Sequence, residues 1–134
     1  MMEDDTNSGD HVRQDVNNDL ALADALRVLL PPHLGPAVTL YRGESAWNRR
    51  RRKYGLSWSA TAEVARQYAS SGTYRTFAGG AVLLETFARP EAIICAPLMH
   101  DDRYSEQEYL VDRRRLRAVM VLERYSRPPL VRAN

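Results

Sequence analysis

Apolar residues recur along the chain at a spacing that predicts two amphipathic helices. In residues 17–30 the stretch NNDLALADALRVLL places its apolar positions at near-helical intervals, begins with cap-type Asn residues, and is followed by two prolines. In residues 60–72 the stretch ATAEVARQYASSG carries a second apolar stripe, with Thr61 as a capping residue and Glu63 near the positive end. We therefore expect an N-terminal helix and a middle helix.

Between and after these helices, short stretches of alternating or continuous apolar residues predict β-strands. Their connections are polar or contain Gly and Pro, and no regular βαβ alternation is visible, which favours an α+β fold with a mainly antiparallel or mixed sheet. The predicted strands are AVTLYRG (37–43), LSWS (56–59), AVLLETFA (81–88), AIICA (92–96), EQEYLVD (106–112) and LRAVMVLERY (116–125).

The chain of 134 residues is long enough for one domain with a real core. Residues 1–14 lack an apolar pattern and are rich in Asp, Asn, Ser and Gly, so we expect a disordered acidic segment there and a single folded domain over residues 15–134. No apolar run approaches the roughly 18 residues of a membrane span, and the polar N-terminus is unlike a signal peptide. We expect a protein that is made in the cytoplasm, acts there or in a host cell to which it is delivered, and does not contact membranes.

The net charge of +2 conceals an acidic N-terminus and a basic body. Residues 1–24 hold seven acids and one Arg, which leaves a charge of about +8 on the remainder. All basic residues except Lys53 are Arg, a bias that a GC-rich genome produces as readily as selection for phosphate binding. The run RRRRK at 49–53 is either a solvated turn or a surface that steers an acidic partner or a nucleic acid.

Three short motifs contain the candidate chemistry. Arg42 ends the first core strand, SWS at 57–59 runs into the middle helix, and EQE at 106–108 opens a late strand. In an extended strand Glu106 and Glu108 point to the same face, so their carboxylates repel each other unless both lie in water or serve a function. Each motif alone is weak, but their order and spacing are more specific.

This arrangement resembles the arginine–serine–glutamate class of mono-ADP-ribosyltransferases. Members of that class have an Arg on the first strand, a Ser-Thr-Ser strand followed by a helix, and a Glu-x-Glu motif at the start of a later strand. LSWSATAEVARQYA is similar to the middle motif, with Trp58 where Thr is usual, and SEQEYLVD is similar to the last; the likeness covers about residues 37–124. It implies a compact ADP-ribosyltransferase-like fold of two packed β-sheets with N-terminal and middle helices.

The resemblance also implies roles for individual residues, with NAD as the substrate. Glu108 would stabilise the positive charge that develops on the ribose as the nicotinamide bond breaks. Arg42 would hold the pyrophosphate through its fork of N–H donors, and Ser57 would orient Glu108. The residues expected to contact NAD are Arg42, Gly43, Ser57, Ser59, Tyr74 and Phe77, of which the two aromatic residues fall where the family has a loop over nicotinamide.

By the same resemblance, Glu106 would engage and deprotonate an arginine of a target protein, so the expected function is mono-ADP-ribosyl transfer by a small bacterial or phage toxin or effector. Other readings stay open. They are a catalytically inactive interaction or inhibitor module with the same fold, an NAD glycohydrolase, and a transferase acting on nucleic acid. The three His residues are isolated from one another and from Cys95, so no metal site is predicted.

Overall fold

The computed structural model of the protein describes residues 8–71, 79–97 and 108–127, and the side chains of residues 18–70, 79–97 and 108–127. This part of the chain is an α+β fold of three helices and six strands. Two single turns of 3-10 helix, Pro90–Ala92 and Arg113–Arg115, connect strands. The helices and strands are α1 (Ser8–Leu29), β1 (Val38–Ser45), α2 (Ala46–Arg50), β2 (Ser57–Ser59), α3 (Ala62–Ser71), β3 (Ala81–Ala88), β4 (Ile93–Cys95), β5 (Glu108–Val111) and β6 (Val119–Tyr125).

The first helix is longer than the sequence pattern predicts. It begins at Ser8, whereas the apolar pattern and the cap-type residues place its start at Asn17 or Asn18. Residues 10–16 contain neither Pro nor Gly, so nothing in their backbone chemistry stops the helix from extending towards the N-terminus. Within the described residues, no helix combines the length and the apolar character that crossing a bilayer would demand.

The six strands form one open antiparallel sheet in the order β4-β5-β2-β1-β3-β6. The expectation of two packed sheets is therefore not confirmed by the described strands. The reason lies between β2 and β1, where one register pair, Tyr41 opposite Ser59, joins two groups of three strands. By contrast, β1 pairs with β3 along its whole length, from Val38 opposite Ala88 to Ser45 opposite Ala81.

The hydrophobic core lies on one face of the sheet. Leu40, Val82 and Leu84 point into it from β1 and β3, each with no more than 1% of its surface exposed. Trp58 lies in the same cluster, and its indole Nε1 donates to the Gly55 carbonyl oxygen at 3.1 Å. Strand alternation predicts that Trp58 points away from Ser57 and Ser59 into the core, and its burial agrees with that prediction.

The opposite face of the sheet is covered by α3, which packs closely on β1 at Gly43. A Cβ atom at Gly43 would lie 2.6 Å from the Ala69 backbone nitrogen and 2.7 Å from the Ala65 carbonyl oxygen. Only glycine therefore permits this distance between helix and strand. The close packing places the apolar stripe of α3 directly over the centre of the sheet.

A buried carboxylate attaches α1 to the rest of the domain. Asp112 is 2% exposed and accepts hydrogen bonds from Arg27 of α1 at 3.3 Å and from Arg114 at 2.9 Å. Arg114 also donates to Asp24 of α1 at 2.6 Å. Burial by itself would raise the pKa of Asp112, but the hydrogen bonds from Arg114 and Arg27 outweigh it and hold the pKa below its usual range.

Candidate functional site

A pocket of about 250 Å³ opens where β1, β2 and β5 meet beneath α3. It brings together five of the residues predicted from the sequence, although they come from three strands and span more than sixty positions. These residues are Arg42, Gly43, Ser57, Ser59 and Glu108. The volume lies just below the range of about 300–1,000 Å³ that is usual for ligand pockets.

The register of β2 and β5 determines which serine is next to the glutamate. Ser59 lies directly opposite Glu108, and Ser57 lies opposite Leu110. Directly opposed residues of an antiparallel pair have their side chains on one face with Cβ atoms about 5 Å apart, whereas a diagonal neighbour is about 7–8 Å away. The sequence analysis predicted that Ser57 orients Glu108. In the sheet, however, Ser59 lies closer to Glu108 than Ser57 does.

Glu108 is exposed at the first position of β5, and Ser59 is 7% exposed. The Ser59 hydroxyl oxygen accepts a hydrogen bond from the Thr61 backbone N–H at 3.0 Å, which fixes the turn from β2 into α3. A buried hydroxyl thus lies beside a carboxylate that reaches solvent. The arrangement leaves the carboxylate accessible to a ligand while its backbone is held in the sheet.

Arg42 crosses the narrow junction between β1 and β2. Its Nε donates to Glu44 Oε1 at 2.8 Å, and its Nη1 donates to the Ser57 carbonyl oxygen at 2.7 Å. The Arg42 side chain is 13% exposed, and Arg42 is one of the residues that line the pocket. The sequence predicted a fork of donors facing phosphate, but two of those nitrogens are already bonded to protein atoms. Arg42 therefore connects β1 to the start of β2 through these two hydrogen bonds.

Glu44 is a functional candidate that the sequence analysis missed. It is fully buried, and its two carboxylate oxygens accept four hydrogen bonds. The donors are Arg42 Nε at 2.8 Å, the Gly55 backbone N–H at 2.9 Å, the Ser45 backbone N–H at 3.2 Å and Asn48 Nδ2 at 3.2 Å. Such a network fixes the positions of Arg42 and of the strand that follows Gly55.

One signal in the sequence points to this network. Glu44 stands two residues after Arg42, so alternation along a strand places both side chains on the same face. Gly55 has a further role, because a Cβ atom there would overlap the Arg42 guanidinium. The spacing is compatible with the ion pair between Arg42 and Glu44, but only the folded chain shows that the pair forms and that Gly55 leaves space for it.

Helix α3 forms the upper wall of the pocket with Val64, Ala65 and Tyr68. Tyr68 is 53% exposed, so it presents an aromatic surface at the mouth of the pocket. The sequence analysis assigned Tyr68 to an apolar stripe alone. Its half-exposed position instead allows it to contact a planar group that enters the pocket.

A surface ion pair holds α3 against the edge strand β6. Arg66 donates from Nε to Glu123 Oε1 at 3.1 Å and from Nη2 to Glu123 Oε2 at 3.2 Å, and it also bonds Glu63. The hydrogen bonds from Arg66, and then from Tyr125, lower the pKa of the Glu123 carboxyl. This bidentate contact keeps the pocket wall in register with the sheet.

Three of the residues predicted from the sequence lie outside the described residues: Glu106, Tyr74 and Phe77. Their roles at the acceptor site and around nicotinamide stay predictions. In the ranges 8–71, 79–97 and 108–127, no three His, Cys, Asp or Glu side chains form a group that could hold a metal ion. The chemistry available to this pocket from the described residues is that of a carboxylate, two serine hydroxyls, a guanidinium and the two phenols of Tyr41 and Tyr68.

Comparisons of the chain with protein-family models, with curated proteins and with solved structures found no match.

Proposed function

We propose that this protein is an NAD-dependent mono-ADP-ribosyltransferase, which cleaves the bond between nicotinamide and ribose and transfers ADP-ribose to a protein side chain. The observation that supports the proposal is the convergence of Arg42, Ser59 and Glu108 on one pocket. They come from β1, β2 and β5, and their order in the sequence suggested the same chemistry before their positions were known. Chance placement of three such residues would scatter them over unrelated surfaces.

Glu108 is the group that we expect to face the reacting sugar. As the bond to nicotinamide breaks, positive charge develops on the ribose, and a carboxylate beside it stabilises the transition state more than the ground state. Glu108 begins β5 and is exposed to the pocket, while its neighbour Ser59 is buried. We assign Ser59 to orient the carboxylate, and Ser57 to the pocket wall next to Arg42.

Arg42 would meet the phosphates of NAD with its position already fixed. Its bonds to Glu44 and to the Ser57 carbonyl hold the guanidinium in one position, so binding would cost little side-chain entropy. The negative charge of Glu44 also neutralises the positive charge of Arg42. We therefore expect Arg42 to bind the phosphates through hydrogen bonds more than through long-range electrostatic attraction. We therefore expect NAD binding to depend only weakly on salt.

The acceptor follows from the resemblance rather than from the described geometry. We propose an arginine of a target protein, engaged by Glu106, and a biological role as a small bacterial or phage toxin or effector. Transfer differs chemically from hydrolysis only in the nucleophile that attacks the ribose, so the two activities share the first step. Nicotinamide release reports that shared step, and an ADP-ribose adduct reports transfer.

The test is incubation of the purified protein with NAD and a cell lysate, with nicotinamide measured by chromatography and adducts by mass spectrometry. We expect Glu108→Gln to lower nicotinamide release at least a hundredfold and to abolish adducts. Glu91→Gln is the matched control, because it removes one exposed carboxylate from a turn outside the pocket. Equal release by the wild type and by Glu108→Gln would refute the proposal, and release without adducts would indicate a glycohydrolase.

A second candidate function is a binding module without catalysis. The observation that favours it is the commitment of two Arg42 nitrogens to Glu44 and the Ser57 carbonyl. Under this alternative, titration calorimetry would detect a ligand or partner while nicotinamide release stays at the background rate. Measurable turnover that requires Glu108 would exclude it.

A further inference from the structure

A basic surface forms around the C-terminal end of α2 and the turn after it. Ser45 caps this helix by accepting from the Asn48 backbone N–H at 3.1 Å, and Arg52 Nη2 donates to the Arg117 carbonyl oxygen at 3.2 Å. That contact brings a residue from before β6 alongside the turn. The basic surface consists of Arg49, Arg50, Arg51, Arg52, Lys53 and Arg117.

Several arginines elsewhere in the described chain are bonded to carboxylates, among them Arg27, Arg42, Arg66 and Arg114. Over residues 18–70, 79–97 and 108–127, no carboxylate forms an ion pair with any member of the basic surface. Among the described residues, these six positive charges therefore have no ion-pair partner. A charge that folding leaves uncompensated is available to an anionic partner.

An aromatic residue is built into the same surface. The Arg51 guanidinium lies 3.4 Å from the centre of the Trp47 ring, and Arg51 Nη1 donates to the Trp47 carbonyl oxygen at 3.4 Å. Trp47 is 36% exposed, and Arg51 is exposed as well. The stack is a flat, positively charged platform on which another planar ring can lie.

We propose that the basic surface binds single-stranded nucleic acid, with phosphates on the arginines and an unpaired base against the Trp47–Arg51 platform. Basic side chains around an exposed aromatic ring are what single strands require, because each base offers a face for stacking. A duplex keeps its bases stacked and would use only the charges. An acidic peptide would likewise leave the platform without a partner. This inference is independent of NAD chemistry.

The experiment measures fluorescence anisotropy of a labelled 20-nucleotide single strand, without NAD, over a series of salt concentrations. We expect Arg50→Gln/Arg51→Gln to weaken binding at least tenfold and to reduce the salt slope by roughly 1.4, or about 0.7 for each phosphate contact. Trp47→Ala should weaken binding about fivefold or more at every salt concentration, because it removes stacking and not charge. Trp47→Phe should retain much of that affinity.

The matched control is Arg89→Gln, which removes one exposed charge at the opposite end of the β1–β3 ladder. We expect it to leave affinity within twofold, and thermal melting of each variant checks that the fold is intact. The proposal is overturned if a duplex of the same sequence or polyglutamate binds as tightly as the single strand. It is equally overturned if Trp47→Ala binds like the wild type, or if Arg89→Gln loses as much affinity as Arg50→Gln/Arg51→Gln.

Discussion

Ser59 lies directly opposite Glu108 across the β2–β5 ladder, and this relationship makes the pocket a specific chemical hypothesis. The sequence does not show that these two residues are neighbours, since nearly fifty positions separate them. In the sheet, one is a buried hydroxyl and the other an exposed carboxylate. The proposed division of work, with Ser59 orienting and Glu108 facing the sugar, follows from that difference.

The first prediction concerns the two serines. If the protein releases nicotinamide from NAD, Ser59→Ala should lower kcat about tenfold with little change in KM, because a hydrogen bond to a charged group is worth about 1.5–3 kcal/mol. Ser57→Ala should have a smaller effect, since Ser57 lies opposite Leu110. Steady-state kinetics checks this, with Ser59→Thr as the variant that keeps the hydroxyl. A larger loss in Ser57→Ala than in Ser59→Ala would contradict the assignment.

The second prediction concerns the buried ion pair of Arg42 and Glu44. Glu44→Gln should lower the free energy of unfolding by about 3 kcal/mol, because it leaves the Arg42 charge without its partner. The double variant Arg42→Met/Glu44→Gln should cost less than the sum of the two single variants. Urea denaturation gives these values. Glu85→Gln, which changes a half-buried carboxyl on β3, is the control and should stay within about 0.5 kcal/mol of the wild type.

The third prediction concerns the contact between α3 and β1. Gly43→Ala should destabilise the protein by about 1–3 kcal/mol, since its Cβ would meet the backbone of Ala65 and Ala69 and push the helix away. Gly35→Ala is the matched change, because its Cβ would meet the His33 ring, 2.7 Å away at the end of a movable side chain. Thermal unfolding compares the two, and equal costs would show that α3 moves freely over β1.

The fourth prediction concerns stability in acid. The pKa of Asp112 is depressed in the folded state by Arg114 and Arg27, so Asp112 stabilises the fold above its unfolded pKa of about 3.9. That contribution is lost as the pH falls from about 4 through the folded pKa. We expect the free energy of unfolding to fall with decreasing pH at up to about 1.4 kcal/mol per pH unit from this group.

Two measurements test this fourth prediction. In Asp112→Asn the part of the acid-induced loss that belongs to this group should disappear. Carbon-13 NMR titration of the Asp112 carboxyl in the wild type gives its pKa directly, even if the variant is too unstable to study. A titration midpoint at or above about 3.9 would contradict the role of Arg114 and Arg27.

Much of the local structure follows from residue patterns. The stripe in ATAEVARQYASSG predicts α3, and the alternation in LSWS predicts that Trp58 enters the core, as its 1% exposure shows. The strand and helix types were predictable because periodicity reports which side chains avoid water. The start of α1 was not, since residues 8–16 contain only two apolar residues, Val12 and Val16, too few to mark the start of a helix.

The sequence predicted which residues line the candidate site, but it did not predict the contacts among them. Arg42, the two serines and Glu108 were chosen from their order along the chain, and they do line one pocket. Their contacts within the protein were not predicted: Arg42 bonds Glu44 and the Ser57 carbonyl. Glu44 escaped notice because a glutamate in a sequence gives no sign of full burial.

The sequence by itself determined the alternation of each strand, the apolar stripe of α3 and the residue types available for chemistry, since these depend on neighbours along the chain. Tertiary structure alone decided that Ser59 faces Glu108, that Glu44 is buried against Arg42, and that the described strands form one sheet. Those outcomes depend on strand register and on the distance between elements, and a change of register by one residue would move every side chain to the other face. Long-range contacts set both quantities.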